Sequence, residues 1–245
     1  IPKASSSFTL HTLTEYSNEF VQKQLFEALC NLVPTQLPSF FTVATTAIIA
    51  YPDVSKKYLG ILIPEYIKLL SITENDHIIA SQLIQITKEM TTFMTPYLET
   101  FQNILLNKMD DELWVYFCIV LSYYLKDNFI PYSSILYHKS ISYLPSVTSK
   151  KLAQRHLKFL SFSIIFQHQP LSCFLKLCEE LISKQFKKIV IVELIRIFQN
   201  FEDARSSSSW FARIFTKVPS DPTAIQLMYS IAFYGEISYN LLVEI

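Results

Sequence analysis

The chain has 245 residues, 50% hydrophobic and 17% charged, with 21 basic and 21 acidic side chains and 2 glycines. Average usage is about 7% glycine, and the deficit excludes chemistry that needs glycine beside a phosphate or in a sharp turn: Gly60 and Gly235 cannot build GxGxxG, a Walker loop or GxSxG. Zero net charge argues against a general nucleic-acid binder; four cysteines without a CxxC pair make no disulfide scaffold, so a reducing, intracellular setting, nuclear or cytoplasmic, is expected.

Helical periodicity runs along almost the whole chain. Residues 1–13 read as an N-terminal extension, and a chain that opens on Ile1 is expected to be a fragment of a longer protein. Phe20, Leu25, Ala28, Leu29 and Leu32 make a first apolar face, with Cys30 read as a buried thiol; Phe40, Val43, Ala44, Ala47 and Ile48 make a second, opened by Pro38-Ser39. A helix from Ser55 to Leu70 carries Tyr58, Leu59, Leu62, Tyr66, Leu69 and Leu70. Asn75 or Asp76 then caps a helix holding Ile78, Ile79, Leu83 and Ile86, since side-chain oxygens there satisfy the free N–H groups of the first turn.

Thr95-Pro96 starts the next helix, and Asp110 is expected to cap the run Leu113 to Leu125. That run includes Cys118, read as buried, and is too short to span a bilayer, which takes about twenty residues. Pro131 opens a segment to about Tyr143, and Ser149 caps a helix with Leu152, His156, Phe159 and Leu160. Two further apolar helices cover Phe174 to Ile182 and Phe186 to Phe201. Another is expected from about Ser208 to Lys217, and Gly235 is read as a C-cap between the last two. The β-branched Ile189-Val190-Ile191-Val192 lies inside helical spacing and is read as helix. The sum is an all-α chain of about thirteen helices joined by short links.

Second helices of successive hairpins start near residues 76, 111, 150 and 187, at intervals of 35, 39 and 37. Such intervals suit an α-solenoid, in which each hairpin buries its apolar faces only by stacking on its neighbours. The stretch Leu59 to Lys88 resembles a HEAT repeat: Pro64 lies within the first helix, Asp76 sits at the turn, and Ile78, Ile79, Ala80, Leu83 and Ile86 follow. Tyr97 to Tyr124 is similar, and Asn18 to Pro34 looks like the second half of a unit. The basic residue usual after the turn is absent here, where His77 and Ile78 stand. The resemblance implies one HEAT-like repeat domain over residues 14–245, a curved scaffold that binds partners along its surface.

No motif carries chemistry. HExxH is absent, and His168, Cys173 and Cys178 fall on different helical faces, so no metal, cofactor or small-molecule ligand is expected and the chain is read as non-enzymatic. Charge is unevenly placed instead. Residues 1–125 hold 7 basic and 12 acidic side chains, whereas residues 126–245 hold 14 and 9. Lys151, Arg155 and Lys158 share a helical face, and Lys184, Lys187 and Lys188 cluster about one repeat further on, so stacking would join them into one basic patch. Tyr116, Tyr123 and Tyr124 are read as core with some rim tyrosines, the alternative being the lining of a groove, and Trp210, after the polar run Ser206 to Ser209, as a candidate interface anchor or a residue buried in the next hairpin. The expected function is a protein-binding scaffold within a multiprotein complex, holding an acidic or amphipathic partner segment. The alternative is a nucleic-acid-associated repeat subunit in chromatin, RNA processing or ribosome assembly.

Overall fold

A computed structural model describes residues 19–32, 38–70, 76–182 and 186–207, together with 210, 222, 225 and 226. Among the described residues there is no strand, and ten helices have nine or more residues. Apart from Trp210, the expected helix from Ser208 to Lys217 lies outside the described residues, as does the Gly235 cap. The chain divides into two compact units, residues 1–104 and 105–245.

In the first unit, α1 is Glu19–Leu32, α2 Pro38–Ala50, α3 Leu59–Leu70 and α4 Asp76–Glu89. A single helical turn, Pro52–Ser55, separates α2 from α3, so α3 starts four residues later than its periodicity predicts. Another turn, Thr91–Met94, and the 3-10 turn Thr95–Tyr97 lead into α5, Leu98–Leu106. α4 packs on α2 and α3. The buried face of α2 holds Phe40, Phe41, Ala44, Ala47 and Ile48. Tyr66 of α3 fastens the unit: its hydroxyl donates to the Phe41 carbonyl at 2.8 Å and so accepts from Thr45 Oγ1, also at 2.8 Å, while its ring meets Phe41 edge-on. Cys30 is half-buried rather than buried, because α1 buries only Phe26 and Leu29.

In the second unit, α6 is Glu112–Leu125, α7 Ile130–Tyr143, α8 Lys150–Gln167, α9 Leu171–Ile182 and α10 Lys187–Asn200. The N-cap of α6 is Asp111, not Asp110: its carboxylate accepts from Leu113 N at 2.8 Å. Ser149 caps α8 as expected, accepting from Leu152 N at 3.3 Å. α8 packs most extensively on α6, then on α10, then on α7; α9 packs on α10 and α7. α6, α8 and α10 therefore lie side by side in one layer, with α7 and α9 in another.

The registers show that these three helices run parallel. Glu112 meets Lys151, Tyr116 meets Arg155 and Tyr123 meets Phe162, each pair 39 residues apart. Phe162 meets Arg196 and His168 meets Phe201, 34 and 33 residues apart. Composition explains the layer. α6 is apolar almost all round and buries Trp114, Val115, Phe117, Cys118, Ile119, Val120, Leu121 and Leu125, so one neighbour cannot cover it. α8 answers with large residues (Leu152, Leu157, Leu160, Ile164) set among small ones (Ala153, Ser161, Ser163), all buried.

Candidate interaction surface

Along one face of α8 the side chains Lys151, Arg155, Lys158, Phe162 and Phe166 follow one another at steps of four, three, four and four. Helical geometry places such residues on one stripe, and the layer sets that stripe between α6 and α10. At its start, exposed Lys151 pairs with Glu112 at 2.5 Å. One turn on, the Arg155 guanidinium lies over the Tyr116 ring, 4.5 Å from its centre. Another turn on, the ammonium of Lys158 and the guanidinium of Arg196 both stand 5.5 Å from the Phe162 ring. Tyr123 contacts the rings of Phe162 and Phe166 at 5.7 Å each, those two rings meet at 5.5 Å, and Lys126 stands 5.8 Å over Phe166. Tyr123 remains 47% exposed and its neighbour Tyr124 38%.

The electrostatics favour cations. Glu193 lies beneath the stripe, 2% exposed and ion-paired with Arg196. Burial raises its carboxyl above the usual range even though Arg196 pulls the other way. Lys126, Arg155, Lys158, Lys187 and Lys188 have no ion pair among the described residues. α8 and α10 each open on two lysines and carry no acid in their first turn. The positive end of a helix disfavours cations by about 0.3–1 kcal/mol each. By the 34-residue offset between Phe162 and Arg196, Lys187 and Lys188 stand level with Ala153 and Gln154. The structure thus brings Lys151, Arg155, Lys158, Lys187 and Lys188 to neighbouring helices; Lys184 lies outside the described residues.

Trp210 stands elsewhere. It is half-buried, and its indole N–H donates to Glu179 of α9 at 2.9 Å, in the other layer. The residues that sequence reasoning missed are Phe162, Phe166, Lys126 and Arg196. The first two were legible, since they continue the Lys151, Arg155, Lys158 stripe by two more turns. The last two reach the stripe only through the packing of α6 and α10 on α8.

One contact looks like a nucleophile and its base: Ser140 Oγ lies 2.6 Å from His156 Nδ1. Both residues are fully buried. The other ring nitrogen, Nε2, donates to the Met109 carbonyl at 2.9 Å, and burial pushes the imidazole down to about 4. It is a weak base closed to substrate, tying α7 and α8 to the segment before α6. A shallow cavity of about 300 Å³ between α7 and α9 is lined by Ile141, Pro145, Cys173, Lys176, Leu177 and Glu180. Among the described residues no three His, Cys, Asp or Glu gather to hold a metal, and no helix is long and apolar enough to cross a membrane. Compared with protein-family models, curated proteins and solved structures, the chain matches none.

Proposed function

We propose that this chain is a non-enzymatic helical-repeat scaffold, a subunit of a multiprotein complex, and that it binds an acidic or amphipathic segment of a partner protein. The carrying observation is the face of the second unit. Lys126, Arg155 and Lys158, which have no ion pair among the described residues, lie there beside half-buried aromatic rings. The lysine pairs opening α8 and α10 oppose the helix dipoles, so local stability does not account for them. Support for a HEAT-like, solenoidal arrangement comes from the second unit alone. Its parallel layer repeats at 39 and then 33–34 residues, within the ~33–47 residue range of helical-repeat periods.

Charge reversal at Lys151, Arg155, Lys187 and Lys188 together, in the full-length protein, tests the reading. Affinity purification followed by mass spectrometry should lose partners that the wild type retains, while far-UV circular dichroism stays the same. An unchanged partner set would remove the face from the account. The second reading, a nucleic-acid-associated subunit, uses the same cations against phosphates and requires binding that falls steeply with salt. Tyr123 and Tyr124 leave ring surface exposed on which a base could stack as well as an apolar side chain, so the salt dependence is what separates the two readings.

A further inference from the structure

Resting on that reading, we infer that the partner segment is anchored at one place: the Tyr123–Phe162–Phe166 cluster takes a bulky apolar side chain, and Lys126 and Lys158 beside it take carboxylates on either side of that anchor. The occupant is therefore a stretch of another protein in which a Phe, Leu or Trp is flanked by Asp or Glu.

Three observations carry this. First, the cluster has the make-up of a binding hot spot, with aromatics at the centre and a charged rim. Phe162 and Phe166 are half-buried and hold Tyr123 between them, yet Tyr123 and Tyr124 still expose 47% and 38% of their surfaces. Second, the rim is mostly cationic. Glu193 is buried beneath Arg196 and fixes it in place, Asp127 is the exposed acid next to Lys126 in the chain, and Lys126 and Lys158 have no ion pair among the described residues. Cations resting on rings are partly desolvated and already positioned, which strengthens their attraction for an incoming carboxylate.

Third, Lys126 is held at φ 42, ψ −113, a backbone conformation that favours glycine. Keeping lysine there costs stability, and the side chain it delivers is the one over Phe166. Charge complementarity selects an acidic protein segment over a second copy of this half of the chain, which carries a surplus of 5 positive charges.

The test uses the full chain and three fluorescein-labelled synthetic peptides: one with a Phe flanked by Asp and Glu, one with that Phe replaced by Ser, and one with every acid replaced by its amide. Fluorescence anisotropy should rank the first peptide about tenfold tighter than either of the others. Tyr123→Ser, at an exposed position, should weaken it about fivefold or more. Lys126→Gly supplies a readout that damage to the fold cannot imitate: affinity falls while the urea midpoint is unchanged or rises. Equal binding of the Phe and Ser peptides, no binding of the first peptide, or indifference to Tyr123→Ser overturns the anchor. So does tighter binding of oligothymidylate or of phosphatidylserine vesicles than of the first peptide. If Tyr123→Ser has no effect but the fourfold charge reversal still removes partners, the anchor fails and the scaffold reading stands; if neither has an effect, both fail.

Discussion

His156 makes folding of the second unit depend on pH in a direction and size that can be worked out. A carbonyl only accepts, so the bond to Met109 puts the proton on Nε2 and leaves Nδ1 to accept from the Ser140 hydroxyl. The neutral ring is fully satisfied; the charged ring would be an ion in the core. Burial therefore lowers its value from 6.5 to about 4, against the smaller opposite pull of the Met109 carbonyl. The unfolded chain binds this proton more readily across that window, so stability is fully present above about 6.5 and is lost as pH falls toward 4. Complete loss amounts to about 3.4 kcal/mol, and about 2 kcal/mol is gone by pH 5. Urea unfolding followed by circular dichroism at pH 7.5 and pH 5 measures it, with His156→Gln as the control. Glutamine stays neutral and keeps an N–H for Met109. The variant should lose about 2 kcal/mol less than the wild type between the two conditions, and other titrating groups, Glu193 among them, cancel in the difference. Equal losses would refute the reasoning. An NMR titration of the wild-type imidazole gives the same answer independently, since a ring that titrates near 6.5 is not the neutral, buried group described.

Tyr66→Phe should destabilise the first unit by about 1–2 kcal/mol in urea melts, because it removes the hydroxyl shared by Thr45 and the Phe41 carbonyl and leaves buried polar groups unmatched. Asp111→Ala should cost about 1 kcal/mol by removing the cap of α6, whereas Asp110→Ala should change thermal stability by a few tenths at most. Gly60→Ala should raise the melting temperature, worth about 0.5–1 kcal/mol: a methyl group there meets nothing within 4 Å, and helical alanine loses less entropy than glycine.

The helical skeleton was legible because every long helix has an apolar stripe dense enough to override local ambiguity. The second helices expected near residues 76, 111, 150 and 187 begin at Asp76, Glu112, Lys150 and Lys187. The β-branched run at 189–192 is helical because Ile189, Val190, Leu194, Ile197 and Phe198 are all buried on α10. What failed was local. The turn Pro52–Ser55 has no side-chain cap to announce it, and of two adjacent aspartates only the backbone trajectory decides which becomes the cap. Contacts across long separations carried no sequence signal either. His156 reaches Met109 47 residues away, and Gln167 reaches the Ser122 carbonyl 45 away.

The basic residues illustrate the same division. Their spacing on α8 was visible, but what they rest on was not, because Tyr116 and Tyr123 arrive from a helix 39 residues earlier and Arg196 from one 34 residues later. A lysine alone on a helix surface is held in place by little, and its charge is screened by salt within about 8–10 Å. A lysine or arginine over a ring has lost part of its hydration and part of its freedom before any partner arrives. Binding then costs less ordering entropy, and each carboxylate meets a cation in a drier setting. This is why Lys126, Arg155 and Lys158, which rest on rings without an ion pair among the described residues, should carry more of the binding than Lys151 and Arg196, whose charges Glu112 and Glu193 already answer.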